Sequence, residues 1–194
     1  MTTREAEIIS LIKKEVKPAL GCTEPIAVAL AVAKAMEIIE DKCSVADSWR
    51  FGRDYRILVE VSGNILKNGM GVGIPGTGMV GLHIASALGA VCGKSSYGLE
   101  VLHDLDEKSI SRSKEMVDKG VVTVALAETD HKLYVKAIIT DTCGRSSSTV
   151  IEDDHDNIAE TRFGDIVLSS SHKEDTNTDQ KSTLDYHLTV KEIF

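Results

Sequence analysis

Eight consecutive apolar residues, Ile26 to Ala33, set the strongest constraint on how this chain folds. The run is far too short for a membrane span, which needs about 20 residues, yet too apolar on every side to lie on a surface. It therefore has to be a central, buried helix. Thr23-Glu24-Pro25 supplies the start, because a hydroxyl caps free amides and proline loses nothing in a first turn. The helix is expected to run to about Glu40. Upstream, Thr2 and Glu5 have capping-box spacing, and Ile8, Leu11, Ile12, Val16 and Leu20 recur at helical intervals, which predicts an amphipathic helix to about Pro18 with Gly21 at its exit.

From Val45 to Val61 the pattern alternates as a strand does, with Ile57, Val59 and Val61 on one side. The glycine-dense stretch 63–81 then reads as an ordered loop feeding a helix over about Val80 to Val91, and a further helix is expected from about Asp104 to Lys119. After Gly120 the short runs VVTVALA, KLYVKAII, RSSSTVI and NIAETRF, separated by turn residues, predict an antiparallel meander. The expected class is α+β, N-terminal helices packed on a mainly antiparallel sheet, forming a domain over 1–168. Residues 169–183 hold no apolar side chain and read as a polar linker, and 184–194 end on Ile193-Phe194. That ending reads either as the start of a truncated C-terminal domain or as a short helix docking back.

With 194 residues the chain has enough material for its own core, and 22 basic against 30 acidic side chains leave a net charge of −8. Such a field does not attract nucleic acid or anionic lipid. Partners are expected to be small molecules or protein. Cys22, Cys43, Cys92 and Cys143 lie too far apart for CxxC pairs, and no basic-then-apolar leader opens the chain, so reduced thiols in a cytoplasm are expected.

Two motifs fail on context. Gly71 to Gly76 spells GxGxxG, but about eight residues, most of them polar or glycine, separate it from the strand that ends near Val61, so a dinucleotide fold does not follow. GAVCGKS, 89–95, has one residue too few for a phosphate loop. The glycine stretch still asks for a reason, and close approach of backbone to a small anion is a good one. The amides of Gly76, Thr77 and Gly78 would then face a carboxylate from a helix N-terminus, helped by the Thr77 hydroxyl, Lys67 and Asn68. A tight turn packed under a helix is the alternative. Cys22, before a helix start, is a candidate nucleophile or metal ligand, because the helix dipole favours its thiolate. The six histidines occur singly, and EDDHD at 152–156 reads as a solvated turn.

Taken together, EVKPALGCTEPIAVALA (15–31), LKNGMGVGIPGTGMVGLHIASALGA (66–90) and YGLEVLHDL (97–105) resemble the N-terminal half of the L-cysteine desulfidase family, related to iron–sulfur L-serine dehydratases. The resemblance implies β-elimination on L-cysteine, giving sulfide, pyruvate and ammonia, or on L-serine. It further implies a [4Fe–4S] cluster with Cys22 as one ligand, and Lys67, Asn68 and the Gly76-Thr77-Gly78 amides as binders of the amino-acid substrate. Neither the residues nor the resemblance settles which group removes the α-proton; Lys67 is the candidate base, since a lysine shielded in a closed site has its pKa lowered. One thiolate does not hold a cubane cluster, so the chain alone is expected to be cluster-free and inactive, its own C-terminal half supplying the other ligands. A cluster-free module that binds a small carboxylate is the competing reading, and the sequence leaves a homodimer open.

Overall fold

The computed structural model describes residues 3–43 and 55–171. Thr2, the first part of the stretch read as strand from Val45, most of the polar 169–183 segment and the 184–194 terminus lie outside the described residues. Helices α1 (Thr3–Glu15) and α2 (Thr23–Cys43) come first, followed by strand β1 (Tyr55–Val61). Helix α3 (Gly63–Gly69) and the two-stranded hairpin β2 (Gly73–Ile74) and β3 (Met79–Val80) precede α4 (Leu82–Cys92). A 3₁₀ segment (Ser95–Glu100) leads to α5 (Glu107–Asp118), and β4 (Val122–Leu126), β5 (Tyr134–Asp141), β6 (Ser146–Glu152), β7 (Ile158–Phe163) and β8 (Ile166–Ser170) complete the chain.

One six-stranded sheet, ordered β4-β1-β5-β6-β7-β8, forms the second layer. Every neighbouring pair is antiparallel except β1 and β4. The α+β architecture expected from the sequence is therefore present. The meander, however, begins at β5: β4 leaves it to run parallel to β1 at the sheet edge, and an additional strand, β8, extends it through Ser169 and Ser170 into the segment read as linker. A strand's alternation is the same whichever neighbour it pairs with, which is why β4 reads as meander from sequence.

Helix α2 lies at the centre, as its composition requires: thirteen of its residues, from Pro25 to Ile39, are buried. It packs against α4 and against the inner face of the sheet, where Tyr55, Ile57, Val59 and Val61 of β1 and Val135, Ala137 and Ile139 of β5 are buried. The helices meet through their smallest side chains, and a methyl added at Gly89 would lie 2.9 Å from the α-carbon of Ala29. Ser147 of β6 donates its hydroxyl to the Ala35 carbonyl at 2.6 Å, fastening sheet to helix without leaving that buried group unpaired. On α5, Asp106 caps the helix, its carboxylate accepting from the Ser109 amide at 2.7 Å and its hydroxyl at 2.6 Å.

The stretch 63–81 departs most from expectation. Its first seven residues are α3, begun at Ser62, whose hydroxyl donates to the Lys132 carbonyl at 2.9 Å and whose amide donates to Tyr134 at 2.9 Å. Those bonds fix α3 beside the β4–β5 connection. With glycine at both ends and only Ile65 and Leu66 apolar, seven residues show no helical period, so the sequence reads as loop. No helix among the described residues is long and apolar enough to cross a membrane.

Candidate functional site

Three separated segments converge before the N-terminus of α2. Gly21 abuts the β2–β3 turn, since a side chain there would meet Pro75 at 3.0 Å, and Asn68 of α3 reaches Glu24 with its amide at 3.4 Å. The turn between β6 and β7 arrives from the far end of the chain: Lys17 grips Asp156 at 2.8 and 2.9 Å and so places His155 beside Glu24. The result is a cavity of about 190 Å³ bounded by Glu24, Asn64, Ile65, Asn68, Lys132, Leu133 and His155.

At its edge the Cys22 thiol donates to Glu24 Oε2 at 2.8 Å. This bond acts on both partners. The carboxylate accepting the S–H pushes the Cys22 thiol above its ordinary range, with partial burial and the carboxylate's charge adding to the rise. Glu24 is held below the usual carboxylate range, first by that same S–H, against an opposing contribution from burial, and then by its own backbone amide, the His155 imidazole and Asn68. The sulfur therefore keeps its proton while Glu24 stays ionised. The expectation of a dipole-stabilised thiolate is corrected, because a carboxylate two residues away opposes the dipole.

The other expected site residues are placed differently. Thr77 sits in the β2–β3 turn, five residues before α4, with its amide bonded to the Ile74 carbonyl at 3.2 Å. Its hydroxyl donates to the same carbonyl at 2.8 Å and accepts from the Met79 amide at 3.0 Å. The glycines beside it, Gly76 and Gly78, have φ of +79° and +66°, so the turn itself accounts for them. Gly76, Thr77 and Gly78 thus form a closed turn rather than a helix-start anion cradle. Lys67 is exposed on α3, not shielded as a general base would be. Asn68 does line the cavity.

His155, Lys132 and Asn64 escaped the sequence reading. His155 lies 131 residues beyond Glu24 in a turn whose composition signals only solvation, and no local spacing announces the contact. Among the described residues no group of three His, Cys, Asp or Glu side chains is placed to hold a metal ion, and the four cysteines form no disulfide among themselves. The larger concavity, about 540 Å³ on the uncovered face of the sheet, has its principal charges engaged, with Arg162 donating to Glu160 at 2.6 and 2.9 Å.

No family model matches the chain. A UPF0597 protein of Parabacteroides distasonis is 51% identical over 150 residues, 77% of this chain and 32% of that protein. One from Bacteroides fragilis is 41% identical over 189 residues, 97% of this chain and 41% of the relative, and one from Shewanella pealeana is 43% identical over 169 residues, 87% and 37% respectively. These relatives carry a family name of their own and not that of an iron–sulfur lyase. The resemblance to the L-cysteine desulfidase family is corrected accordingly, and with it fall the β-elimination and the reading of this chain as the N-terminal part of such an enzyme. Over nearly its whole length the chain is similar to UPF0597 proteins, and it spans about two fifths of the length of the relatives it matches most fully.

Proposed function

We propose that the cavity at the start of α2 is a binding site for a small polar metabolite bearing an amine, of the size and charge pattern of an amino-acid zwitterion. Support comes above all from Glu24, an ionised carboxylate facing a cavity whose other polar walls, Asn64, Asn68, Lys132 and His155, come from three further parts of the chain. A carboxylate held ionised takes a cationic nitrogen, and Lys132 with the two amides offers donors to an acidic group at the ligand's other end. The volume, about 190 Å³, lies below the roughly 300–1,000 Å³ of sites for drug-sized ligands and suits a compact molecule. Cys22 keeps its proton and serves as a positioning group, orienting Oε2 and leaving Oε1 to Asn68. Cysteines that form no disulfide among themselves suit a reducing cytoplasm, where this reading places the protein.

Titration calorimetry with amino acids, the matching amines and the matching carboxylic acids tests the reading. Zwitterions are expected to bind, amines more weakly and carboxylic acids least. Glu24→Gln, which keeps the shape and removes the charge, is expected to weaken zwitterion binding at least tenfold, a loss of about 1.4 kcal/mol or more. Equal affinity in wild type and Glu24→Gln, or no binding by any of the three classes at 10-fold molar excess over a millimolar Kd, about 10 mM, overturns it.

A further inference from the structure

Of the side chains that bound the cavity at the start of α2, three ionise: Glu24, Lys132 and His155. Glu24 brings a negative charge and Lys132 a positive one, so His155 decides the balance. Histidine is the side chain that changes charge between about pH 5 and 8. With a neutral imidazole the cavity carries no net charge and matches a zwitterion, one pole to each end; with an imidazolium it carries one positive charge too many.

The groups around His155 leave Glu24 as the carboxylate it shares the cavity with. In its own turn, Asp156 gives both oxygens to Lys17 at 2.9 and 2.8 Å, Asp153 Oδ1 lies 3.6 Å from His131 Nδ1, and Asp154 is exposed. From the residues that open α2, Cys22 directs its proton to Glu24 Oε2 at 2.8 Å and so offers the imidazole no thiolate. Helix α3 contributes the uncharged Asn64 and Asn68, and the β4–β5 connection contributes Lys132. The His155 imidazole is among the groups whose charge holds Glu24 ionised. His155 therefore stands at the anionic end of the cavity, which is the end a ligand's ammonium has to occupy.

Resting on the zwitterion reading above, we propose that His155 makes binding proton-linked: a ligand's ammonium and a proton on His155 compete for Glu24, so the site takes up a zwitterion as the imidazole gives its proton to solvent. Glu24 and His155 are both half-buried, and two cations beside one half-buried carboxylate are screened less than they are at an open surface. The sign follows from linkage. A proton held more weakly in the complex than in the free protein makes affinity rise with pH through the range in which imidazole titrates. Glu24 stays ionised over that range, because its carboxyl is held below the usual carboxylate values. The site thus fills near neutrality and empties on acidification.

Titration calorimetry with the amino acids of the preceding experiment, L-alanine among them, tests this at pH 5.5 and pH 7.5. Wild type is expected to bind about fivefold or more weakly at the lower pH. At pH 6.5 the heats in MES and in Bis-Tris are expected to differ by the amount that corresponds to roughly 0.2–0.9 proton released per ligand bound, a quantity read without any substitution. His155→Asn is expected to lose both the pH dependence and the buffer dependence, and His131→Asn, at an exposed position outside the cavity, to keep both. His155→Lys, a cation at both pH values, is expected to bind about fivefold or more weakly than wild type at pH 7.5. If no amino acid binds wild type at pH 7.5, the zwitterion reading fails and this proposal with it. Wild-type affinity that is equal at the two pH values or greater at pH 5.5, or a pH dependence that survives in His155→Asn, overturns the proposal and leaves that reading standing.

Discussion

Replacing Gly89 by alanine is expected to destabilise the protein by about 3 kcal/mol and lower Tm by roughly 10 °C, although the same change at an ordinary helical position stabilises by about 1 kcal/mol. The sign reverses because of what the new methyl meets. At Gly89 the β-carbon would lie 2.9 Å from the Ala29 α-carbon and 3.0 Å from its carbonyl carbon, and nearer still to the oxygen. These are backbone atoms of a helix that is itself buried, and they have no rotamer with which to yield. One turn on, Gly93 faces the Ala33 methyl, where an added β-carbon would stand at 2.7 Å. Relief therefore requires α2 and α4 to separate along several residues, loosening a close-packed interior. Thermal unfolding followed by circular dichroism checks this, and a Tm at or above that of wild type would refute it.

Asp141→Ala carries the second large expected effect, about 2 kcal/mol, and it acts at a turn rather than in the core. Asp141 closes β5, and its carboxylate organises the entry to β6, accepting from the backbone amides of Cys143 and Arg145 at 2.9 Å each. The Arg145 guanidinium adds bonds at 2.8 and 2.7 Å. Burial alone would raise the carboxyl's pKa; Arg145 and the two amides outweigh it and hold the group below the usual range. A carboxyl whose folded value is depressed contributes stability above its unfolded pKa, about 3.9, and that contribution is lost as pH falls through the folded value. Wild type and Asp141→Ala should accordingly differ most near neutrality and converge at acid pH. Urea unfolding at pH 7 and pH 3 gives both differences, and a gap that widens at pH 3 contradicts the assignment.

How much of this was legible in the sequence depends on whether a residue's neighbours lie along the chain or across it. α2 was legible because eight successive apolar residues leave no face for water, a property of local composition. The strands β5, β6 and β7 were legible because alternation and turn residues are local too. β4 was not, since nothing in VTVAL distinguishes a parallel partner 65 residues upstream from an antiparallel one next door. The cavity at Glu24 was half legible. Cys22 and Asn68 stand in segments whose glycines and early helix signals draw notice, whereas His155 and Lys132 reach the site only through the fold, one by the ion pair of Lys17 with Asp156 and the other by the bond from Ser62. Thr77 shows the opposite error, a residue in a conspicuous motif whose hydrogen bonds are spent on its own turn.

The position of β1 has a consequence for how the chain acquires its structure. Both of its neighbours come late: β4 begins at Val122, and the register with β5 joins residues roughly 80 positions apart. A ribosome adding about 5–20 residues per second leaves β1 without either partner for roughly 3–13 s after its synthesis, until β4 has been made. Over that interval an apolar strand with two open edges stands in the nascent chain, and only α2, already made, can shelter its inner face. The length of that wait is set by the translation rate and by the strand order, not by any local propensity of β1.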